Sequence, residues 1–426
     1  MVPRLGVFAA TLFLGFGPAL AAVPGPEPLR LLATATLATG AEQPVMASLP
    51  TARPLVAWTA PEGLRVVQLR NPDPATPVMT VPPSPLAAQA VEGPATATLS
   101  ASPTTGPATS PAPAPLTWDP VPVPAALASV SPGAFGFAGP VDAPWLVSIR
   151  QVGQESIVAA QALRGGKAWV LQRSPGVLDR LTTASRRTDG TVRLGAMWRV
   201  RLGSQRVALA ARSWGTADLG RLRWIAHAGK VPEQPVLQAL PDRWLALWRS
   251  TAPGRPDRIL AASWQEGQAL PLTVPIADGT PMLGPLPVEG SSPPLAGWQG
   301  PDPIGRQLHL RRVGYPGPRW HADLRTDLSP AAPDRARVGT DGHGRLLVAW
   351  SQRVQPGLPG QALMARLHAE GGEATSAPIL LDIATRDLVP LILSATGPRQ
   401  WLAGWGRREA EGWSLQVALL SGEAPR

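Results

Sequence analysis

Short apolar runs that end in tryptophan recur along this chain at a nearly constant distance. The run LLVAW ends at Trp350. Similar runs end at Trp58, Trp198, Trp248, Trp298 and Trp405. With Ile149 of WLVSI as the counterpart of the tryptophans, the anchors from Ile149 onward lie 49, 50, 50, 52 and 55 residues apart. A period of about 50 residues is typical of β-propeller blades, each of which is one small sheet.

The residues between the anchors predict strands. After a polar turn, apolar and polar side chains alternate in ALMARLHAEG (362–371), QLHLRRV (307–313) and SLQVALLSG (414–422). Alternation over five to eight positions indicates strands, and the Gly, Pro and Asp residues at the joints indicate turns. We therefore predict an all-β protein, with a β-propeller as the main architecture and β-sandwich domains as the alternative.

The spacing also predicts the number of blades and how the ring closes. Trp58 lies 91 residues before Ile149, which is one repeat plus an insertion of roughly 40 residues. This gives seven blades within a range of six to eight, because Trp118 or Trp169 would add an eighth if either marks a degenerate unit. The first blade falls in residues 22–71 and the others in residues 145–426. N-terminal strands that pair with C-terminal ones would close the ring without an exposed sheet edge.

Residues 72–144 differ in composition from the rest of the chain. Pro, Ala, Ser and Thr dominate this segment, and no Lys or Arg occurs between Arg70 and Arg150. Such a segment buries too little apolar surface to offset the entropy lost on ordering. We predict a disordered insertion between the first blade and the second.

The N-terminus indicates export. Arg4 precedes an apolar stretch from Leu5 to Gly17, and Ala19-Leu20-Ala21 fits the small residues of a cleavage site. The stretch is too short for a spanning helix, which needs about 20 residues. We therefore expect a signal peptide over residues 1–21 and a periplasmic or extracellular protein that does not span a membrane. The chain has no cysteine, which excludes disulfides and thiolate chemistry.

The basic residues are almost all arginines, and the formal net charge is +10. Several arginines lie one to three positions after an anchor: Arg150, Arg199, Arg249, Arg353 and Arg407. Equivalent positions in a ring place these guanidinium groups around one rim, where they can bind carboxylates or phosphates. These residues are the predicted anion-binding site. The alternative is that they are solvated loop charges of an arginine-rich composition.

The sequence contains no strong catalytic or metal-binding motif. The histidines lie singly in separate repeats, and His343 belongs to DGHG, which we interpret as a tight turn. We therefore predict no metal and no cofactor. Carboxylates that a glycoside hydrolase would need occur at the joints between strands: Asp189, Asp242, Asp257, Asp302 and Asp341.

One repeat resembles the sialidase-like class of propellers. The stretch RRTDGTVRLGAMW, from Arg186 to Trp198, is similar to the Asp-box turn of that class, Ser-x-Asp-x-Gly-x-Thr-Trp, although Arg187 stands in place of the serine. The resemblance implies a propeller fold. It would also imply a catalytic tyrosine paired with a glutamate and an arginine triad, whereas the chain has a single tyrosine, Tyr315, in a turn-like stretch.

These patterns favour an exported, non-catalytic β-propeller that binds or scaffolds in the cell envelope. The expected partner is an envelope protein, an anionic polysaccharide or lipid headgroups, with no nucleic acid, and the protein is expected to be a monomer. The alternative is a carbohydrate-active enzyme, similar to a glycoside hydrolase, with its site in the propeller funnel.

Overall fold

A computed structural model describes the chain within residues 29–70, 116–279 and 284–422, apart from short gaps. Side chains are described within these ranges up to residue 276 and again from residue 335. The predicted signal peptide lies outside the described residues, as do His227, His321 and Tyr315.

In the described part of the chain, thirty strands pair into seven sheets. β1 (Arg30–Ala41) comes first in the chain and joins the last sheet. Sheet 1 contains β2 (Met46–Leu49), β3 (Leu55–Ala60), β4 (Gly63–Leu69) and β5 (Trp118–Pro120). Sheet 2 contains β6 (Phe135–Ala138), β7 (Trp145–Val152), β8 (Glu155–Ala162) and β9 (Ala168–Ser174). Sheet 3 contains β10 (Val177–Thr188), β11 (Thr191–Leu202), β12 (Arg206–Trp214) and β13 (Arg223–Ala226).

The remaining sheets repeat this order. Sheet 4 contains β14 (Val231–Ala239), β15 (Trp244–Thr251), β16 (Asp257–Trp264) and β17 (Leu272–Gly279). Sheet 5 contains β18 (Gly284–Leu286) and, after β19 (Val288–Glu289), β20 (Leu295–Asp302), β21 (Gly305–Gly314), β22 (Arg319–Trp320) and β23 (Leu324–Thr326). Sheet 6 contains β19, β24 (Arg335–Thr340), β25 (Arg345–Arg353), β26 (Gln361–Ala369) and β27 (Ile379–Ala384). Sheet 7 contains β28 (Leu388–Gly397), β29 (Gln400–Arg408), β30 (Trp413–Ser421) and β1.

All seven anchors lie on the equivalent strand of their sheets. We number the strands of a sheet in pairing order, starting with β24 in sheet 6 and ending with β1 in sheet 7. Trp58, Ile149 and the later anchors then all lie on the second strand, between antiparallel first and third strands. The first strand of each sheet lies inside these runs. A strand paired on both sides is shielded from water, which explains why these runs are almost entirely apolar.

The first strands lie side by side around a ring. Each of them contacts the first strands of the two neighbouring sheets, and β28 contacts β2. Hydrogen bonds link neighbouring first strands: the Arg337 Nε donates to the Leu391 carbonyl at 3.0 Å, and the Leu237 amide donates to the Thr182 hydroxyl at 3.2 Å. Arg337 and Leu391 each follow the residue that pairs with an anchor, so neighbouring sheets have the same direction and register.

The N-terminal strand closes the ring, as predicted. β1 pairs antiparallel with β30, and the Thr36 hydroxyl donates to the Gln416 side-chain oxygen at 2.8 Å. The last sheet therefore takes three strands from the C-terminus and one from the N-terminus. The all-β propeller prediction is confirmed, and the β-sandwich alternative is not.

Apolar clusters fill the spaces between neighbouring sheets. One joins Trp145 and Val158 of sheet 2 to Trp198 of sheet 3, and another joins Met197 of sheet 3 to Trp248 of sheet 4. Similar clusters join sheets 6 and 7, sheets 7 and 1, and sheets 1 and 2. Trp198, Trp248 and the other described anchors are buried, so the aromatic side chains hold sheet to sheet.

Two features of the sequence prediction need correction. The repeat predicts seven blades, and six are described with their side chains. Sheet 5 is described through its backbone pairing. Trp118 and Trp169 lie on the fourth strands β5 and β9, so neither marks an eighth unit.

The boundaries of the Pro-rich segment also differ from the prediction. β5 and β6 both fall within residues 72–144, because WDP pairs with β4 and FGFA pairs with β7. The insertion therefore lies inside sheet 1, between its third and fourth strands, and not between two blades. Residues 71–115 lie outside the described residues. Within the described part of the chain, no helix is long and apolar enough to cross a membrane.

Candidate functional site

The five predicted arginines lie at one end of the ring. Each is at the C-terminal end of a second strand or in the strand's last residues. Because neighbouring sheets share direction and register, these strand ends face the same way. We call this end the hairpin face. In sheets 2 to 4 it comprises residues 150–155, 199–203 and 249–258, with the adjoining strand ends at 173–180 and 231–234.

Arg199 is held in a buried ion pair. It is 4% exposed, and its Nε and Nη2 atoms donate to the two carboxylate oxygens of Asp179 at 2.6 and 2.7 Å. Asp179 lies directly opposite on β10. The half-exposed Arg201 also contacts Asp179, with 2.9 Å between Nη2 and Oδ2. One carboxylate thus holds two guanidinium groups, which leaves an excess positive charge at this point.

Sheet 4 repeats the arrangement. Arg249 pairs with Glu233, which lies directly opposite on β14, and its Nη1 is 3.9 Å from Asp257. In both sheets the residue after the carboxylate has a positive φ, 54° for Arg180 and 48° for Gln234. Both lie at a β-bulge. Bulges redirect the side chains next to them. In both sheets the bulge therefore lies directly after the carboxylate that binds the arginine.

The other predicted arginines have different surroundings. Arg407 contacts Asp382, on the fourth strand of the preceding sheet, at 3.1 Å and Glu409 at 2.9 Å. Arg353 is exposed and has no ion pair with any residue in the described part of the chain, and Arg150 is half-buried. The structure thus brings all five arginines to one face, where Arg199, Arg249 and Arg407 contact carboxylates. Whether the set binds an anion stays a prediction.

Exposed apolar side chains accumulate at the same face. Among the described residues, six large apolar side chains are exposed. Four of them lie on the hairpin face of sheets 2 to 4: Val152 (50%), Val177 (59%), Leu202 (44%) and Val231 (38%). Ile383 lies at the same end of sheet 6, just before β28, whereas Val170 lies in the middle of β9. The sequence analysis did not identify this group, because exposure at strand ends depends on the register of each hairpin.

The stretch that resembles an Asp box forms ion pairs between two sheets at the opposite end of the ring. Arg193 bridges Asp218, at 2.6 Å, and Glu266 of the next sheet, at 3.5 Å. Its hydrogen bond to Asp218 raises the pKa of the Arg193 guanidinium above its usual range. Arg186 contacts Glu266 at 3.6 Å and lies 5.2 Å from the centre of the Trp244 ring. These contacts tie sheet 3 to sheet 4.

The described carboxylates from the catalytic hypothesis do not come together. Asp242 pairs with Arg243 before β15, and Asp257 lies after it. β15 has eight residues, which at about 3.3 Å per residue separates its two ends by about 25 Å. Asp341 accepts hydrogen bonds from the His343 and Arg345 amides at 2.8 and 3.1 Å between β24 and β25, as an aspartate at the start of a turn does.

The other candidate catalytic and metal-binding residues fall largely where the structure does not describe side chains. Asp189 is outside the described residues, and Asp302 and His309 are described through their backbone alone. No group of three His, Asp or Glu residues within the described ranges has the arrangement of a metal site.

Comparisons with known proteins give similarity of fold. No protein-family model matches the chain, and no curated relative matches it. A protein of unknown function from Dyadobacter fermentans is a similar solved structure, with 11% identity and a TM-score of 0.47 over 68% of this chain and 96% of that chain.

Two further solved structures are similar at the same level. A subtype N10 neuraminidase-like protein of a little yellow-shouldered bat strain has 8% identity and a TM-score of 0.41, over 68% of this chain and 94% of that chain. YCF48 from Cyanidioschyzon merolae has 10% identity and a TM-score of 0.41, over 93% of this chain and 97% of that chain. Similarity at this level does not establish a family.

Proposed function

We propose that this chain is an exported, non-catalytic β-propeller that binds an anionic partner in the cell envelope through its hairpin face. The observation that carries the proposal is the excess of arginine at that face in sheets 2 to 4. Its arginines are Arg150, Arg173, Arg180, Arg199, Arg201, Arg249, Arg255 and Arg258. Its carboxylates are Glu155, Asp179, Glu233 and Asp257.

The ion pairs in this face support binding. A guanidinium group has five N–H donors, and Asp179 occupies only part of the donors of Arg201. The free donors of a side chain that is already ordered can bind a further carboxylate or phosphate with a smaller loss of entropy. Arg180 and Arg255 are exposed and add to the positive field at this end.

The test is binding of purified residues 22–426 to polysaccharide, lipid and protein fractions extracted from the envelope of the producing cell. The variant Arg201→Ala/Arg255→Ala removes two exposed positive charges from the hairpin face. We expect it to bind the retained fraction at least tenfold more weakly, with a reduced dependence on salt. The control is Arg221→Ala/Arg164→Ala, which removes the same charge from exposed positions at the opposite end. Equal loss in both variants, or no binding at all, would contradict the proposal.

Export is a separate part of the proposal, supported by the composition of residues 1–21. Mass spectrometry of the mature protein from the periplasmic or extracellular fraction should give an N-terminus near Ala22. Recovery of the chain in the cytoplasm with residues 1–21 retained would contradict it.

We also infer that sheet 5 is a blade like the others, which makes the ring seven-bladed. The support is that β18 contacts the first strands β14 and β24 of the neighbouring sheets, and that Trp298 lies on the second strand β20. A crystal structure would count the blades, and a ring of six would overturn the inference.

A further inference from the structure

The hairpin face of sheets 2 to 4 combines apolar and cationic side chains within the same sheets. In sheet 3, Val177 lies directly opposite Arg201, and Leu202 follows Arg201 in the chain. The Leu202 side chain covers the turn before Val177, since one of its methyl carbons would lie 3.2 Å from a Cβ at Gly176. Val177 and Leu202 are therefore neighbours of Arg201, the first across the strand pair and the second along the chain.

The neighbouring sheets extend this combination along the face. In sheet 2, Val152 is the last residue of β7 and lies directly opposite Glu155, which contacts Arg173 at 3.5 Å. In sheet 4, Val231 begins the strand that carries Glu233, the partner of Arg249. The first strands of sheets 2, 3 and 4 contact one another in that order. The exposed valines and leucine thus follow one arc of the ring, each beside an arginine.

A purely anionic ligand does not account for the apolar side chains. A polysaccharide or an inorganic anion gains from the arginines but gives Val177 and Leu202 no apolar surface to bury. Exposed apolar side chains that occur together, and not singly, mark interaction sites. Arginine beside buried apolar contacts is typical of the central residues of protein interfaces.

We propose that the partner is a protein segment that presents acidic and apolar side chains together, and that it docks on the hairpin face of sheets 2 to 4. This inference rests on the proposed function, since it uses the same positive face. The carboxylates of the segment bind the exposed donors of Arg201 and its neighbours. Its apolar side chains cover Val177, Leu202, Val152 and Val231, which excludes water from these charge pairs and strengthens them.

The experiment compares three fluorescent twelve-residue peptides by anisotropy with purified residues 22–426. The first has six Glu and six Leu, the second six Glu and six Ser, and the third six Lys and six Leu. We expect the Glu/Leu peptide to bind at least tenfold more tightly than the Glu/Ser peptide, and the Lys/Leu peptide to bind more weakly than both. The variant Val177→Ser/Leu202→Ser should reduce Glu/Leu binding to the level of Glu/Ser without changing Glu/Ser binding.

The matched control is Val170→Ser, which removes an exposed valine from the middle of β9. It should leave all three affinities unchanged, and urea midpoints verify that every variant is folded. Equal binding of the Glu/Leu and Glu/Ser peptides would overturn this inference while the proposed anionic function stands. Binding of the Lys/Leu peptide as tight as that of Glu/Leu would also overturn it. Failure of both acidic peptides would overturn this inference, while the proposed function is decided separately by binding to the envelope fractions.

Discussion

The indole nitrogen of Trp405 donates a hydrogen bond of 2.8 Å to the carboxylate of Asp382 on the fourth strand of the preceding sheet. Trp198 repeats this contact with Gln172, at 2.6 Å, again on the fourth strand of the preceding sheet. The anchors therefore do more than fill apolar space. Each of these two also fixes its sheet to the outer strand of its neighbour.

We expect Asp382→Ala to lower the free energy of unfolding by about 1–3 kcal/mol. The substitution leaves the buried indole N–H of Trp405 without an acceptor and also removes the contact with Arg407, and an unsatisfied buried donor has about this cost. Asp382→Asn keeps an acceptor oxygen and should lose less. Urea unfolding measures both, with the exposed Asp387→Ala as the control. A change for Asp382→Ala no larger than for Asp387→Ala would contradict this role.

The contributions of Arg199 and Asp179 to the free energy of unfolding should be strongly coupled. Asp179→Leu leaves a buried guanidinium group without its bidentate partner, and we expect a loss of about 3 kcal/mol. Asp179→Leu/Arg199→Leu removes both charges and should recover to within about 1 kcal/mol of the wild type. A double-mutant cycle from urea midpoints gives the coupling. If the double variant is as unstable as Asp179→Leu alone, the pair is not the cause.

Asp119 should make stability depend on pH in acid. Its hydrogen bond from Arg70 lowers the pKa of the Asp119 carboxyl below its usual value of 3.8. A lowered pKa means that the folded state binds fewer protons than the unfolded state, so this contribution is present above about pH 4 and is lost as pH falls through the lowered pKa.

The measurement for Asp119 is the urea midpoint from pH 7 to pH 2. Asp119→Asn should unfold at a lower midpoint than the wild type at pH 7, and the difference should vanish at the acid end. Asp387→Asn serves as the control for loss of an exposed carboxylate. A difference that stays constant across the range would refute the prediction.

Gly195 allows sheets 3 and 4 to approach closely. A Cβ at this position would lie 2.8 Å from two ring carbons of Trp244, which is 1% exposed and fixed by its neighbours. Gly195→Ala should therefore cost about 1–3 kcal/mol through overpacking. Gly397→Ala is the control, since the nearest atom to its Cβ would be 3.8 Å away. It should change stability by less than about 0.5 kcal/mol, as judged by thermal and urea unfolding.

The second strands were predictable because burial on both sides leaves a local signal. An apolar run with an anchor at its end marks the same strand of every sheet, even where Ile149 replaces tryptophan. β5 and β6 were missed because their short sequences, WDP and FGFA, carry little strand signal of their own. They are strands through pairing with β4 and β7, and pairing between distant segments does not show in local composition.

The candidate site was predictable in part for the same reason. Arginines recur one to three positions after the anchors, and this spacing placed them on one face. The spacing did not predict the carboxylates that bind them. Asp179 reaches Arg199 across a hairpin with a bulge, and Asp382 reaches Arg407 from another sheet. The exposed apolar residues depend on where each strand ends, and strand ends are the least certain feature of a sequence prediction.

The closing strand sets the order in which this protein can fold. The contact between Thr36 and Gln416 joins positions 380 residues apart, so sheet 7 is complete only after the last strand has been made. Contacts of such long range slow folding, and until β1 arrives the edge of β30 is open to other chains. Once formed, the same contact delays opening of the ring. We therefore expect slow refolding, aggregation during refolding at high concentration, and a long lifetime of the closed state.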